Sequence, residues 1–125
     1  MKDTATIDLI KGDDFLKREN LDTVDFLKID VEGAEYDVLE GFINSISEKR
    51  IKAIQFEYGY INITTHKLLL DFYQFFESNG YLLGKIFPKK VEFRKYAFKH
   101  EDFIGPNFIA VLEEEQDLIK ALSSK

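Results

Sequence analysis

The chain has 125 residues, of which 45% are hydrophobic and 32% charged, and its formal net charge is −6. This length and composition predict one globular domain rather than two domains or a disordered chain. Because there is no cysteine, disulfides, thiolate metal sites and cysteine nucleophiles are excluded. The acidic balance argues against a general nucleic-acid binder, since phosphate contacts need a basic surface.

Membrane and export signals are not found in the sequence. No apolar run reaches the roughly 20 residues that span a bilayer, and no basic N-terminal stretch precedes a signal-like apolar segment. We therefore expect a cytoplasmic protein without a membrane span.

The first half of the chain predicts a strand, a turn and an amphipathic helix, after a short strand at residues 6–10 and a helical turn at 13–19. Residues 24–30 form an apolar run of strand length, and Gly33 follows as a turn residue. Apolar residues then recur at helical spacing, with acidic residues left for solvent. The apolar positions are Ala34, Val38, Leu39, Phe42 and Ile46, and the acidic ones are Glu35, Asp37, Glu40 and Glu48.

A second unit of the same kind follows. Residues 51–58 predict a strand closed by Gly59, and residues 68–76 predict a helix capped by Thr64 or Thr65 and ended by Gly80. Two successive strand–helix units indicate a parallel sheet.

The pattern changes after Gly80. Residues 81–87 and 108–113 predict two strands that pair antiparallel, separated by a long basic and aromatic loop at 88–107, and residues 117–122 predict a short helix. The fold class is therefore α/β, with two parallel strand–helix units followed by an antiparallel hairpin.

The run FLKIDVEGAEYDVLEGF at residues 26–42 resembles the signature of FkbM-family methyltransferases. Ten positions match that signature, namely Lys28, Ile29, Asp30, Val31, Glu32, Gly33, Ala34, Glu35, Leu39 and Gly41. The similarity extends backwards to TIDLIKGDDFL and forwards to IQFEY.

The resemblance implies S-adenosylmethionine as cofactor and the second half of a Rossmann-like methyltransferase sheet. In that family a Gly-rich loop after the first strand holds the cofactor, because glycine lets the backbone approach the ligand closely, as in dinucleotide-binding sites. None of the seven glycines here is spaced Gly-x-Gly. We therefore expect residues 1–125 to form a single partial domain that is inactive alone.

Carboxylates stand at the predicted carboxyl ends of the two parallel strands, where ligands of α/β sheets bind. The first strand carries Asp30 and then Glu32, and the second carries Glu57. Asp30 or Glu32 could act as the base that methyl transfer to a hydroxyl needs. Asp30 is also the candidate cofactor contact, and Glu57 and His66 are candidate contacts of the acceptor. By resemblance the acceptor is a hydroxyl on a sugar, a glycan or a similar small molecule.

Purely structural roles for the same residues compete with these assignments. Lys28 and Asp30 could form an ion pair, Glu32 could cap the following helix, and Glu57 could be a solvated strand end. Gly33 is expected to permit the turn. Gly41 is expected to allow close packing of the helix against the sheet.

Three further hypotheses remain open. The oxygens of Asp30, Glu32 and Glu57 could hold Mg²⁺ in an enzyme that does not use S-adenosylmethionine. The chain could instead be a non-catalytic module that self-associates through an exposed strand edge between Val24 and Asp30. The basic loop could grip an anionic acceptor, although a solvated hairpin with inward-packed aromatic residues is the favoured interpretation.

Overall fold

The computed structural model describes residues 10–124. In chain order the elements are α1 (Gly12–Arg18), β1 (Leu27–Lys28), α2 (Glu35–Gly41), α3 (Ile43–Ser47), β2 (Ala53–Glu57), α4 (Ile61–Thr65), α5 (Leu69–Glu77), β3 (Tyr81–Ile86), β4 (Val91–Phe93), a 3₁₀ turn (Phe98–His100), β5 (Asn107–Leu112) and α6 (Gln116–Ser123). The strand predicted at residues 6–10 lies outside the described residues, apart from Ile10.

The five strands form one mixed sheet in the order β1-β2-β5-β3-β4. β1 and β2 pair in parallel, as two strand–helix units require. β5 pairs antiparallel with both β2 and β3 and lies between them. The predicted α/β class, the parallel unit and the antiparallel pairing of the last two predicted strands are confirmed.

The prediction of a loop at residues 88–107 was wrong in part, because this segment contains β4 and the 3₁₀ turn. β4 pairs antiparallel with β3, with Phe93 opposite Gly84 and Val91 opposite Ile86. Three residues are too few to give an alternating pattern, so the strand is defined only by its pairing with β3. Of the loop aromatics, Phe93 is half-buried, whereas Phe98 is exposed.

The single helix predicted from Ala34 onward is two helices, α2 and α3, which are separated at Phe42. The start of the second helix is stabilised by a residue distant in sequence. The Asp13 carboxylate of α1 accepts hydrogen bonds from the backbone nitrogens of Asn44 and Ser45, both at 2.9 Å. Free N–H groups at the start of α3 are thereby satisfied by a side chain from another helix.

The predicted cap of α5 was also wrong. Thr64 and Thr65 belong to α4, a short helix that the sequence pattern did not indicate. α5 begins after Leu68, whose N–H donates to the Asp71 carboxylate at 2.7 Å. The N–H groups of Leu69 and Leu70 donate to the Glu101 carboxylate at 3.0 and 2.8 Å.

The main core lies between one face of the sheet and helices α2, α3 and α5, and is rich in aromatic residues such as Phe56, Phe72 and Phe76. The opposite face carries a smaller cluster, which α6 covers with Leu118, Ile119 and Leu122. Within residues 10–124, no helix has the length and apolar character that crossing a membrane requires.

Gly41 was expected to pack against the sheet, but its nearest neighbours are Gly12 and Lys11. A Cβ atom at this position would lie 3.3 Å from the backbone nitrogen of Gly12. The close approach that Gly41 permits is therefore between α2 and the start of α1.

Candidate functional site

The register of the parallel pair brings two carboxylates together. Leu27 lies opposite Ile54 and Lys28 opposite Gln55. Continuing this register by two residues places Asp30 beside Glu57, on the sheet face opposite the main core. The two side chains are within hydrogen-bond reach of each other.

The crowding of negative charge changes the titration of Glu57. Burial is the largest cause that raises the pKa of Glu57 above its ordinary value, followed by the charges of Asp30 and Glu35. The hydrogen bond with Asp30 and the charge of Glu32 act in the same direction. The neighbouring carboxylates thus make ionisation of Glu57 less favourable than that of an isolated glutamate.

Between the two strands, the chain turns sharply at Glu32 and Gly33. Both residues have positive φ, 45° and 105°. A Cβ atom at Gly33 would lie 3.2 Å from side-chain atoms of Ile61 and Thr65 in α4. The expected role of Gly33 in the turn is thus consistent with its backbone conformation.

Glu35 holds this turn in place, and its predicted exposure was wrong. Its side chain is only 2% exposed. One carboxylate oxygen accepts a hydrogen bond from the N–H of Gly33 at 2.8 Å, and the other accepts from Val31 at 3.3 Å. The helical pattern placed Glu35 on the solvent side because periodicity cannot register a turn that folds back onto the first residue of the helix.

A cleft of about 270 Å³ opens beside these carboxylates. Glu32 and Glu57 line one part of it, and the start of α4 and the loop before β5 form the rest. The lining residues are Glu32, Glu57, Tyr58, Gly59, Tyr60, Ile61, Ile104 and Pro106. The cleft therefore combines carboxylates with apolar and aromatic side chains, as small-molecule sites commonly do.

The wall of the cleft is built around Tyr58 and Glu101. The buried Tyr58 hydroxyl donates to the Glu101 carboxylate at 2.9 Å and accepts from the N–H of Phe103 at 3.1 Å. Burial first, and then the hydrogen bond to Glu101, raises the pKa of Tyr58. Tyr96 also donates to Glu101, at 2.8 Å. Glu101 thus fixes the loop before β5 to both the end of β2 and the start of α5.

Sequence reasoning missed Glu101, and no sequence signal could have identified it. It lies more than 30 positions from Leu69, Leu70 and Tyr58, three of its partners. From the sequence, an acidic residue in a basic loop is expected to be a solvated charge. Only the tertiary structure places Glu101 at the beginning of α5.

The other assigned residues lie in different surroundings. Lys28 and Asp30 are both exposed, and the ion pairs found among residues 10–124 do not join them. Glu32 is exposed and does not cap α2, which begins after Ala34 without a side-chain cap. His66 ends α4 in a left-handed conformation, rather than starting a helix, and is not among the cleft residues.

The metal alternative gains no support from this geometry. Within the part of the chain that the structure describes, no group of three or more His, Cys, Asp or Glu side chains is arranged to hold a metal ion.

A larger recess, of about 450 Å³, lies between α1 and α3. It shares no lining residue with the cleft beside the carboxylate pair. Asp13, which lines this recess, already accepts hydrogen bonds from Asn44 and Ser45 of α3. Its carboxylate oxygens therefore stabilise the fold.

Comparison with known proteins identifies the family of the chain. The family model of the methyltransferase FkbM domain matches residues 2–83, about two thirds of the chain. No curated protein and no solved structure matches the chain. The matched range includes β1, the turn at Glu32 and Gly33, and β2 with Glu57. The chain belongs to the FkbM methyltransferase domain family.

Proposed function

We propose that this chain is part of an S-adenosylmethionine-dependent methyltransferase that acts on a hydroxyl of a sugar, a glycan or a similar small molecule. Membership of the FkbM family supports the reaction class. The observation that carries the choice of site is the Asp30–Glu57 pair at the carboxyl ends of β1 and β2, since ligands of α/β sheets bind beyond that edge.

Each carboxylate has a role in this proposal. When bound, S-adenosylmethionine would supply an electrophilic methyl group on a sulfonium centre, and S-adenosylhomocysteine would leave with the electron pair of the broken sulfur–methyl bond. Asp30, with Glu32 as the alternative base, accepts the proton that leaves the acceptor hydroxyl as its oxygen bonds to the methyl carbon. Glu57, beside Asp30 at the end of β2, is a proposed contact of the acceptor hydroxyls. His66 remains a proposed contact of the acceptor outside the cleft.

The donor set suits a cationic ligand. Asp30, Glu32 and Glu57 place negative charge at the strand ends, which favours a sulfonium over an uncharged sulfur. The glycine spacing that holds the cofactor elsewhere in the family does not occur in these 125 residues. We therefore expect Asp30 to contact the cofactor within a binding site to which this chain contributes only one part.

The sheet order supports a Rossmann-like assignment as part of the same proposal. A parallel pair is followed by a strand inserted antiparallel between β2 and β3, as is expected of the second half of such a methyltransferase sheet. That residues 1–125 form a partial domain, inactive alone, stays a prediction.

Calorimetric titration of the full chain with S-adenosylmethionine tests this proposal. We expect weak saturable binding near 1 mM, which corresponds to about −4 kcal/mol, and at least about tenfold weaker binding by Asp30→Ala. Asp25→Ala, at an exposed acid that precedes β1, is the matched control and should bind like the unaltered chain. Absence of saturable binding by a folded chain, or equal binding by Asp30→Ala, would contradict the role given to Asp30.

A second candidate function is a non-catalytic interaction module. It is favoured by the position of β1 at the edge of the sheet and by Phe26 beside it, which is 50% exposed. A strand edge with an exposed aromatic residue can pair with a second copy of the chain.

A further inference from the structure

The cleft beside the carboxylate pair has an uneven distribution of charge. Glu32 and Glu57 line it, and Asp30 and Glu35 are close enough to raise the pKa of Glu57. Among residues 10–124, those that line the cleft include no lysine, arginine or histidine. A group that enters the cleft therefore meets a negative potential that no cation among these lining residues offsets.

The apolar part of the lining is unusually exposed. Tyr60 is 79% exposed and Ile104 is 74% exposed, and they lie on α4's N-terminal side and on the loop before β5. Asn62, which is buried, accepts a hydrogen bond from the N–H of Gly59 at 3.0 Å and fixes the turn that presents Tyr60. An aromatic face and an aliphatic side chain next to carboxylates offer both apolar contact and hydrogen-bond acceptors to a hydroxylated ring.

The basic segment does not contribute to the cleft. Six cations lie between residues 85 and 99, namely Lys85, Lys89, Lys90, Arg94, Lys95 and Lys99. None of them lines the cleft. Lys85 instead lies over the rings of Phe87 and Phe108, at 5.7 and 6.0 Å. The positive charge that an anionic acceptor would need is placed elsewhere.

We propose that the cleft selects an acceptor that carries hydroxyl groups and no negative charge, and that Glu32 and Glu57 reject acceptors bearing a phosphate or a carboxylate. This inference rests on the proposed function and adds the class of acceptor. Two like charges held within a few ångströms at a partly buried site repel strongly. Hydroxyl groups, by contrast, donate hydrogen bonds to carboxylates.

Three glycosides that differ only at one carbon test the inference. The methyl glycosides of glucose, of 6-amino-6-deoxyglucose and of glucuronic acid carry a neutral, a cationic and an anionic group at that carbon. Binding to the full chain is measured at neutral pH by ligand-detected NMR, without S-adenosylmethionine. We expect the uronate to bind at least about tenfold more weakly than the neutral glycoside, and the amino sugar to bind at least as well as the neutral one.

Raising the ionic strength and removing the charges of Glu32 and Glu57 test whether electrostatic repulsion causes the discrimination. The discrimination should shrink as ionic strength rises from about 0.01 M to about 1 M, because the screening length falls from about 30 Å to about 3 Å. The double variant Glu32→Gln, Glu57→Gln should bind all three glycosides to a similar degree. Glu113→Gln is the control, since this exposed acid follows β5, which runs antiparallel to β2 and so ends at the opposite edge of the sheet.

Several results would overturn the inference. They are uronate binding as tight as neutral binding, no saturable binding of any of the three glycosides, or discrimination that persists in the double variant. The cofactor is omitted, so a failure here is separable from a failure of the proposed function. Cofactor binding without glycoside binding would refute only the acceptor class, and the reverse result would refute only the methyltransferase proposal.

Discussion

At the scale of single residues, the environment of Glu35 determines the conformation of the turn at the site. Its buried carboxylate accepts hydrogen bonds from Val31 and Gly33 on either side of Glu32. These bonds stabilise a turn in which Glu32 has a positive φ of 45°, a conformation that non-glycine residues rarely adopt. Glu35 is thus a positioning residue for the carboxylate that follows β1.

Replacing Glu35 by alanine should lower the free energy of unfolding by about 1 to 3 kcal/mol, because partly buried backbone donors lose their acceptors. Urea denaturation followed by circular dichroism measures this change. Asp37→Ala, at an exposed position in the same helix, should change stability by no more than about 0.5 kcal/mol. Equal effects of the two substitutions would show that the carboxylate does not hold the turn.

Replacing Glu57 by glutamine should raise the free energy of unfolding, whereas replacing Glu35 by alanine should lower it. Its pKa is raised in the folded chain, so the stability that it contributes is present below its unfolded pKa and is lost as the pH rises through its folded pKa. At neutral pH an ionised Glu57 beside Asp30 is therefore unfavourable, and Glu57→Gln should stabilise the chain.

The measurement is urea denaturation at about pH 7 and at about pH 4, below the ordinary pKa of glutamate. The gain from Glu57→Gln should be present at the higher pH and absent at the lower one. Glu113→Gln provides the control. A variant that is less stable than the unaltered chain at neutral pH would be at odds with repulsion between Glu57 and Asp30.

At the scale of elements, one carboxylate connects a loop, a helix and a strand. Glu101 accepts hydrogen bonds from Leu69 and Leu70 at the start of α5, and from the hydroxyls of Tyr58 and Tyr96. Negative charge at a helix N-terminus is stabilising. The loop that carries Ile104 and Pro106 to the cleft is thereby fixed to the frame of the sheet.

Glu101→Gln should lower the free energy of unfolding by about 1 to 3 kcal/mol, since an amide offers one acceptor where the carboxylate offers two. Burial and then the bond to Glu101 raise the pKa of Tyr96 to about 12. Stability linked to Tyr96 is therefore present below about pH 10 and is lost as the pH rises towards its folded pKa.

Ultraviolet titration of tyrosine ionisation measures that effect. In Glu101→Gln the pKa of Tyr96 should fall towards its ordinary value, and alkaline unfolding should begin at lower pH. Glu77→Gln, at the opposite end of α5, serves as the control. An unchanged titration in Glu101→Gln would mean that Glu101 does not set the environment of the tyrosine.

At the scale of the whole molecule, β1 is an edge strand of the sheet that residues 10–124 form. Only Leu27 and Lys28 form the β1 ladder, with a separate bridge between Val24 and Ile51. The adjacent Phe26 is half exposed. Short edge strands limit pairing, but an exposed aromatic residue favours it.

We expect this edge to give concentration-dependent self-association of the 14.6 kDa chain, measured by sedimentation equilibrium. Phe26→Asp should weaken the association at least about tenfold. Phe98→Asp removes a more exposed aromatic residue, 89% exposed, away from the edge, and should leave association unchanged. A monomer at all concentrations would refute the interaction-module candidate.

Features that depend on residues close together in sequence could be predicted, whereas features that depend on contacts between distant residues could not. The strands around Leu27 and Ile54 and the carboxylates at their ends are local in sequence, so apolar runs and a family signature were enough to place them. The break at Phe42 depends on Asp13, the cap of α5 on Glu101, and β4 on its pairing with β3. Each of these joins distant residues and leaves no periodic trace.

The sequence by itself determined the family, the α/β class and the positions of Asp30, Glu32 and Glu57 at strand ends, because short-range periodicity and a contiguous motif encode them. The tertiary structure decided that Asp30 lies beside Glu57 and that Glu35 is buried beneath the turn. It also decided that Glu101 fixes the cleft wall. Register and long-range hydrogen bonds are properties of the packed chain, since they exist only when segments far apart in sequence come into contact.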